Sequence, residues 1–319
     1  MTADPHAPPQ EQARRLLPAQ VRAAFGLTGP AVAVDGGQGT SVAVDGLVLK
    51  PDSDPDHVSW LAQLCARIEQ VGFCLPAPVA ALDGRHVVDG WSATRLVIGH
   101  PIEDDDRTEA SWSRLLDVAR AFHRALAREG RPAFLDERTH RWAVADRFAF
   151  HPARLSGTRR GSVAHRGSHP SDVAVPPDPS TSLIGPGGAQ LIEQYEHLLV
   201  DETLPSQLVH GDLSGNVLFG GSGAPAVIDV SPYWRPAAYA DAVVMVDAFL
   251  WWQVDAGMLR QMQPPQLDVD RWVSLLARAG VFRLVAFGEP GRDAAEVDEQ
   301  LQRHSALIAA LRRDGASRV

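Results

Sequence analysis

Lysine is all but missing from this chain. Lys50 is the only one, and the remaining basic side chains among its 30 Lys and Arg residues are arginines. Cysteine is scarce, with Cys65 and Cys74 alone, too few for a disulfide scaffold and without histidines at metal-ligand spacing. The expectation is two reduced, buried thiols. Basic charge is in deficit: the formal net charge is -9, which argues against nonspecific binding to nucleic acid. No apolar run is long enough to span a bilayer. The opening MTADPHAPPQEQARR lacks the basic-then-apolar pattern of a signal peptide, so a cytoplasmic location is expected. Gly-Lys-Ser/Thr is absent, which excludes a Walker phosphate loop. What remains is ordinary for a soluble globular protein: 319 residues, 45% hydrophobic and 22% charged, enough for two lobes with their own cores.

The richest stretch runs from Leu208 to Ser231. Three short apolar runs, Gln207–Val209, Val217–Phe219 and Ala226–Val230, read as buried strands. His210, Gly211, Asp212 and Asn216 fill the turn after the first, Gly220, Gly221 and Gly223 the turn after the second, and Asp229 sits at the end of the third. Short rigid strands therefore present two carboxylates and a carboxamide at one edge. Transfer of a magnesium-bound phosphate needs such a set: one carboxylate to orient the attacking hydroxyl, and hard oxygen ligands for the metal.

These residues resemble the catalytic core of the aminoglycoside phosphotransferase and choline kinase-like family, small-molecule relatives of protein kinases. The matching text is His210-Gly211-Asp212, Asn216 and Ile228-Asp229, with Tyr239-Ala240-Asp241 where the family often has Tyr-x-Asp opening a helix. The loop from Asp212 to Asn216 is one residue shorter than the family's usual spacing. The resemblance implies Asp212 as the catalytic carboxylate, Asn216 and Asp229 as magnesium ligands, and His210 and Asp241 as structural supports of the catalytic loop.

Upstream, Pro18 to Phe25 reads as a short helix, and 31–34, 41–44 and 47–50 as a three-stranded meander. Asp45-Gly46 between β-prone runs is a strong two-residue hairpin signal. The first turn of the meander, with Gly37, Gly39, Thr40 and Ser41, has two of the three glycines of a kinase Gly-rich loop, and a strand follows it where a Rossmann motif needs a helix. Alternation puts Val48 and Lys50 on one face of the third strand. In a kinase-like fold that face roofs the nucleotide, with Val48 against adenine and Lys50 on the phosphates. A lone lysine in an arginine-rich chain suits a role needing a compact point charge.

A helix over 56–71 occupies the place of the kinase helix whose Glu pairs with that lysine. It has no central Glu, and Gln63, then Asp56 or Glu69, are the expected partners. Strands are expected at 79–82, 86–88 and 91–98, with Gly99-His100-Pro101 breaking the sheet. The resemblance puts the adenine-reading hinge near Arg95 to Val97. Glu103 to Asp106 is an acidic run just past it.

Further helices are expected at 111–128, with His123 in the core, and at 142–150, 191–199, 241–254, 271–278 and 297–312. Residues 156–188 read as a long loop or lid, and residues 1–17 as poorly ordered. Trp251 and Trp252 read as core, or as an aromatic box for a cation. The short segment Ser231 to Pro236 takes the activation-segment position.

The expected fold is thus α+β, a bilobal protein kinase-like fold. An N-terminal lobe over 1–98 holds a five-stranded antiparallel sheet and one main helix, and a larger helical lobe covers 99–319. The resemblance implies an ATP- or GTP-dependent, magnesium-requiring phosphotransferase acting on a small-molecule hydroxyl, with an acidic surface compatible with a cationic substrate. Two other readings of the same residues are a nucleotide-binding pseudokinase and a nucleotidyl transferase.

Overall fold

The computed structural model describes residues 17–34, 40–102, 107–151, 185–201, 203–220, 223–288 and 291–316. Expectations for residues 1–16, for the glycines at 37 and 39, for the acidic run at 103–106 and for most of the 156–188 loop lie outside these. The chain packs as two units. One takes the described residues up to Ile102 together with Asn216–Val230, and the other takes Glu103–Gly215 and Ser231–Val319.

In the first unit, helix α1 (Ala19–Ala24) precedes strands β1 (Val32–Ala33), β2 (Val42–Val44) and β3 (Leu47–Lys50). Helix α2 (Pro55–Arg67) follows, then β4 (Pro78–Val79), β5 (Val87–Val88), β6 (Trp91–Arg95) and β7 (His100–Pro101). The main sheet is antiparallel in the order β1-β2-β3-β6-β4, with β5 paired to β6 as a sixth strand. The sixth arises because Asp89-Gly90, with φ of 48° and 80°, forms as tight a turn as Asp45-Gly46, with φ of 49° and 76°. Both turns put two successive residues at positive φ, the twist that suits a two-residue hairpin. The Asp45 carboxylate also accepts from the backbone N–H of Thr28 at 2.9 Å and Gly29 at 3.0 Å, tying the hairpin to the loop after α1.

Alternation sorts the faces of this sheet. Val42, Val44 and Leu49 point into a core with Val21 of α1, Phe25 just after it, Val88, Trp91 and Ala93. Each fully buried aliphatic side chain there contributes on the order of 2 kcal/mol. Val48 and Lys50 are left half-buried on the other face.

Helix α2 is capped by Asp54, whose carboxylate accepts from the N–H groups of Asp56 at 2.9 Å and His57 at 3.2 Å, and Pro55 is preset for the first turn. The helix ends at Arg67, so Glu69 falls beyond it, and Gln63, Asp56 and Glu69 are all exposed. The main sheet ends before Gly99-His100-Pro101, as expected, but pairing resumes there. β7 joins a second antiparallel sheet, β10-β9-β7, with β9 (Val217–Phe219) and β10 (Ala226–Val227). Gly99 permits this, because a Cβ there would lie 2.6 Å from the Phe219 carbonyl oxygen. Cys65 and Cys74 are free and only partly buried, and burial pushes the Cys65 thiol up to about 11.

The second unit is mainly helical: α3 (Glu109–Leu126), α4 (Phe134–Glu137), α5 (Arg141–Phe150), α6 (Gly185–Glu196), α7 (Ala237–Trp252), α8 (Ala256–Gln261), α9 (Val269–Phe287) and α10 (Ala294–Ala316). Thr108 caps α3, and Trp112, Leu115, Leu116, Ala119, Phe122, His123 and Leu126 form its buried stripe as the spacing predicts. Helix α6 starts at Gly185, inside the segment expected to be loop.

α9 is the centre of this unit and packs on α5, α6, α7 and α10. It runs well past the expected end at Arg278, because Gly280 is a packing site and not a stop. A Cβ at Gly280 would lie 2.6 Å from the ring of Tyr195 on α6. Segment 232–235, expected as a short activation segment, is strand β11 (Pro232–Arg235). It pairs antiparallel with β8 (Gln207–His210), placing Pro232 opposite His210 and Tyr233 opposite Val209.

Candidate active site

The turn that carries Asp212 is built by steric necessity. Gly211 lies where a Cβ would be 2.4 Å from the Tyr233 ring on β11, so no larger residue fits without moving that buried aromatic. Its N–H donates to the Ser231 carbonyl at 3.0 Å. His210 is buried, and its Nδ1 accepts the N–H of Asp212 at 3.1 Å. The backbone N–H of His210 in turn donates to Nε2 of His123 at 3.1 Å. Burial, and then the neighbouring His210, pull the His123 imidazole down to about 3, so it stays neutral as an acceptor inside the core. His123 lies in the core as expected, and His210 is buried beside it.

The Asp212 side chain is 45% exposed. Its Oδ1 accepts from Arg283 Nη2 at 2.8 Å. Arg283, on α9, donates to Asp247, on α7, from Nε at 2.6 Å and from Nη2 at 2.5 Å. Asp247 has no exposed surface and Arg283 almost none. Burial raises the Asp247 carboxyl to about 6 even though Arg283 opposes the shift. For Arg283, burial favours the neutral form, but the two carboxylates outweigh it and keep the guanidinium firmly charged. The guanidinium carbon lies 5.6 Å from the ring centre of Trp142 and 5.0 Å from that of Trp251. Trp251, expected in the core, is 39% exposed. Trp252 instead packs towards Trp112, 5.8 Å between ring centres.

Arg283 and Asp247 are absent from the sequence-level site. A signal for them exists. α7 and α9 are apolar on nearly every face, yet α7 carries Asp241 and Asp247, and α9 carries Arg278 and Arg283. Charges in an apolar helix must be paired. Asp241 is buried and accepts from Arg120 Nε on α3 at 2.7 Å, and burial raises its carboxyl to about 6. It ties α7 to α3, while the residue bonded to the Asp212 carboxylate is Arg283.

The first unit holds the other candidates. Gly215, at φ 75°, closes the shortened loop just before Asn216. The Asn216 carbonyl accepts the N–H of Ile228 at 2.9 Å, next to the β9–β10 ladder, so the chain reaches Asp229 one residue later. Asp229 has φ 51°, a left-handed backbone rare outside glycine. Strain of this kind costs roughly 1–3 kcal/mol and re-aims the side chain. The Asp229 carboxylate forms an ion pair with Lys50 Nζ, and both side chains are about a third exposed, at 39% and 34%. Asp229, and none of the expected α2 residues, is the partner seen for Lys50. Val48 shares the open face of β3 with Lys50, across from Thr94 of β6. Val97 lies just past β6, half-buried, between the exposed Leu96 and Ile98. Thr40 and Ser41 lead into β2, and the Ser41 carbonyl accepts the N–H of Val34 at 3.0 Å.

The Asp229 carboxylate and the Asn216 carboxamide are both hard oxygen donors by their chemistry. Among the described residues no cluster of three or more His, Cys, Asp or Glu could hold a metal by itself. Such a set fits magnesium, which takes few protein ligands and completes its shell with phosphates and water. It does not fit zinc.

Solved structures share this fold across nearly the whole chain. A spectinomycin phosphotransferase in complex with ADP and spectinomycin matches with a TM-score of 0.56 at 13% identity, covering 97% of this chain and 99% of that one. A microcompartment-associated aminopropanol kinase matches with 0.56 at 17%, covering 93% and 96%. A choline/ethanolamine kinase family protein from Mesorhizobium loti matches with 0.51 at 17%, covering 95% and 98%. No protein-family model matches the chain, and no curated protein does. The fold is therefore the kinase-like fold of small-molecule phosphotransferases.

Proposed function

We propose that this protein transfers a phosphoryl group from ATP to a hydroxyl of a small molecule. The observation that carries this reading is the chemical sorting of the candidate residues. Lys50, at the end of β3, and Asp229, two residues past β10, meet as a solvent-accessible pair of a cation and an oxygen donor. Asp212, on the tight turn after β8, has its carboxylate held by a buried arginine. The fold, shared with kinases solved in complex with ADP, AMP or AMP-PNP, supports the same reading.

In the proposed reaction Lys50 lies on the phosphates as a point charge. Val48 and the backbone near Val97 meet the base, and Thr40 and Ser41, with the glycines at 37 and 39, line the phosphates. Asn216 and Asp229 would hold magnesium, which when bound neutralises phosphate charge. Asp212 accepts a hydrogen bond from the acceptor hydroxyl, orients its oxygen for in-line attack, and takes the proton late in transfer. Most of the rate comes from positioning and charge complementarity. His210 supports the turn through the Asp212 N–H, and Asp241 supports α7. A cationic acceptor suits the net charge of -9 and the exposed face of Trp251 beside Arg283. GTP is the alternative donor, since the residues named contact phosphates more than the base. A cytoplasmic site of action is consistent with the reduced cysteines, and among the described residues no helix is long and apolar enough to cross a membrane.

The test is a panel of amino alcohols, aminocyclitols and sugars incubated with the protein and MgATP or MgGTP, read by mass spectrometry. The reading predicts one acceptor gaining a single phosphoryl group. Gain of a nucleotidyl group would assign nucleotidyl transfer instead. ATP binding with no turnover across the panel would favour a pseudokinase.

A further inference from the structure

We propose that Arg283 is a positioning residue for Asp212, and that Asp247 is the counter-charge that offsets its positive charge. The inference rests on the catalytic reading of Asp212. A carboxylate on a half-exposed turn can rotate about its side-chain bonds, and a rotated base misses its hydroxyl. Arg283 removes that freedom: one Nη2 hydrogen points at Asp212 Oδ1, 2.8 Å away, from a guanidinium that cannot itself move. Its immobility follows from the bidentate grip of Asp247 at 2.6 and 2.5 Å and from the rings of Trp142, Trp251 and Phe282 around it. The planar fork explains why arginine is used, since one lysine ammonium could not bind both Asp247 oxygens and still reach Asp212 in fixed directions.

Charge explains why Asp247 is buried there. A bare guanidinium against Asp212 would stabilise the carboxylate and drain its basicity. Paired with Asp247, Arg283 brings almost no net charge, only a directed N–H. The burial of the pair costs stability that an apolar pair would not, so its presence beside the reacting carboxylate needs a reason other than folding. Both partners come from long packed helices, the 16-residue α7 and the 19-residue α9. They are rigid supports of the kind a fixed base requires.

The deciding variant replaces the pair together, R283M with D247L, because R283M alone strands a buried carboxylate and could fail to fold. Turnover of the acceptor identified from the panel, with MgATP, is compared with wild type. We expect kcat lower by about tenfold to a hundredfold, KM for ATP unchanged within about twofold, and, when D212N is added to the double variant, a kcat no lower than that of D212N alone. R283K alone should not restore kcat. A crystal structure of the double variant gives a reading independent of activity: the Asp212 carboxylate should occupy more than one rotamer while the turn from His210 to Asn216 stays in place. Normal kcat in the folded double variant, or losses that multiply with D212N, would overturn the role. A single unchanged Asp212 rotamer would overturn it even if no acceptor in the panel is phosphorylated. A panel without any product, in contrast, counts against the catalytic reading of Asp212 and not against its positioning by Arg283.

Discussion

Lys50 with Asp229 and Arg283 with Asp212 are both ion pairs of candidate site residues, and they are built in opposite ways. The first joins two side chains about a third exposed, on strands only two to four residues long or just past them. The second reaches a partly exposed carboxylate from a guanidinium that is 3% exposed and anchored on a 19-residue helix. Exposed pairs contribute little to stability, about 0–1 kcal/mol, and exchange partners readily. Breaking a buried pair by removing one partner costs about 3–5 kcal/mol. In the proposed reaction the Lys50–Asp229 pair must open, because phosphates take Lys50 and the metal takes Asp229. Asp212 has no such exchange to make and gains by being held still. Weak pairing belongs where ligands must displace it, and strong pairing where geometry must persist.

Variants can break this contrast, beginning with the largest expected effect. D212N keeps the shape of the side chain and removes its charge and basicity. Steady-state kinetics with the identified acceptor should show kcat lower by roughly 10²–10⁴. K50R and K50A should each lower kcat/KM for MgATP by about a hundredfold, since a planar fork does not replace a point charge. Near-normal kinetics for K50R would make Lys50 merely structural.

G211A tests the steric reading of the turn. Its new methyl would sit 2.4 Å from the Tyr233 ring, and denaturant melts should show a loss of about 1–3 kcal/mol. The last prediction concerns acid stability. His304 is buried against the Tyr195 hydroxyl at 2.9 Å, and burial pulls its imidazole from 6.5 down to about 3. The unfolded chain therefore takes up that proton first as pH falls. The stabilisation is present above pH 6.5 and is lost on descending towards pH 3, at up to about 1.4 kcal/mol per pH unit. Asp241 and Asp247, raised from 3.8 to about 6, act oppositely, their contribution being present below 3.8 and lost as pH rises through 6. H304Q should flatten the acid-side fall of stability measured by denaturant melts between pH 6.5 and 4. An unchanged slope would mean that His304 already exchanges protons with solvent in the folded state.

Local signals carried most of the fold. The Asp45-Gly46 hairpin, the α3 stripe and the strands around Asp212 and Asp229 follow from turn chemistry and periodicity, which act over a few residues. Asp212, Asn216 and Asp229 are candidates because an ordered motif names them, and Lys50 because it is the one lysine of the chain and ends a strand. What escaped was set at long range. Helix α9 runs past its expected end at Arg278 and takes in Gly280, whose fit against Tyr195 is a long-range contact, and Arg283 lies on that extension. β7 and β11 are short and contain proline, so only their partners, β9 and β8, define them as strands. Trp251 looks like core because its neighbours are apolar. The partner of Lys50 was sought on α2, where the resemblance implies it, while the chain brings Asp229 to it from 179 residues away.

The most direct test of this division of labour is one calorimetric comparison: MgATP titrated into wild type, D229A and D212N, with all three shown to be folded. The account predicts that D212N binds MgATP as wild type does, and that D229A loses magnesium-dependent binding, so that adding EDTA makes no further difference. Unchanged magnesium-dependent affinity in D229A, or its loss in D212N, would contradict the assignment of Asp229 to the nucleotide and Asp212 to the acceptor.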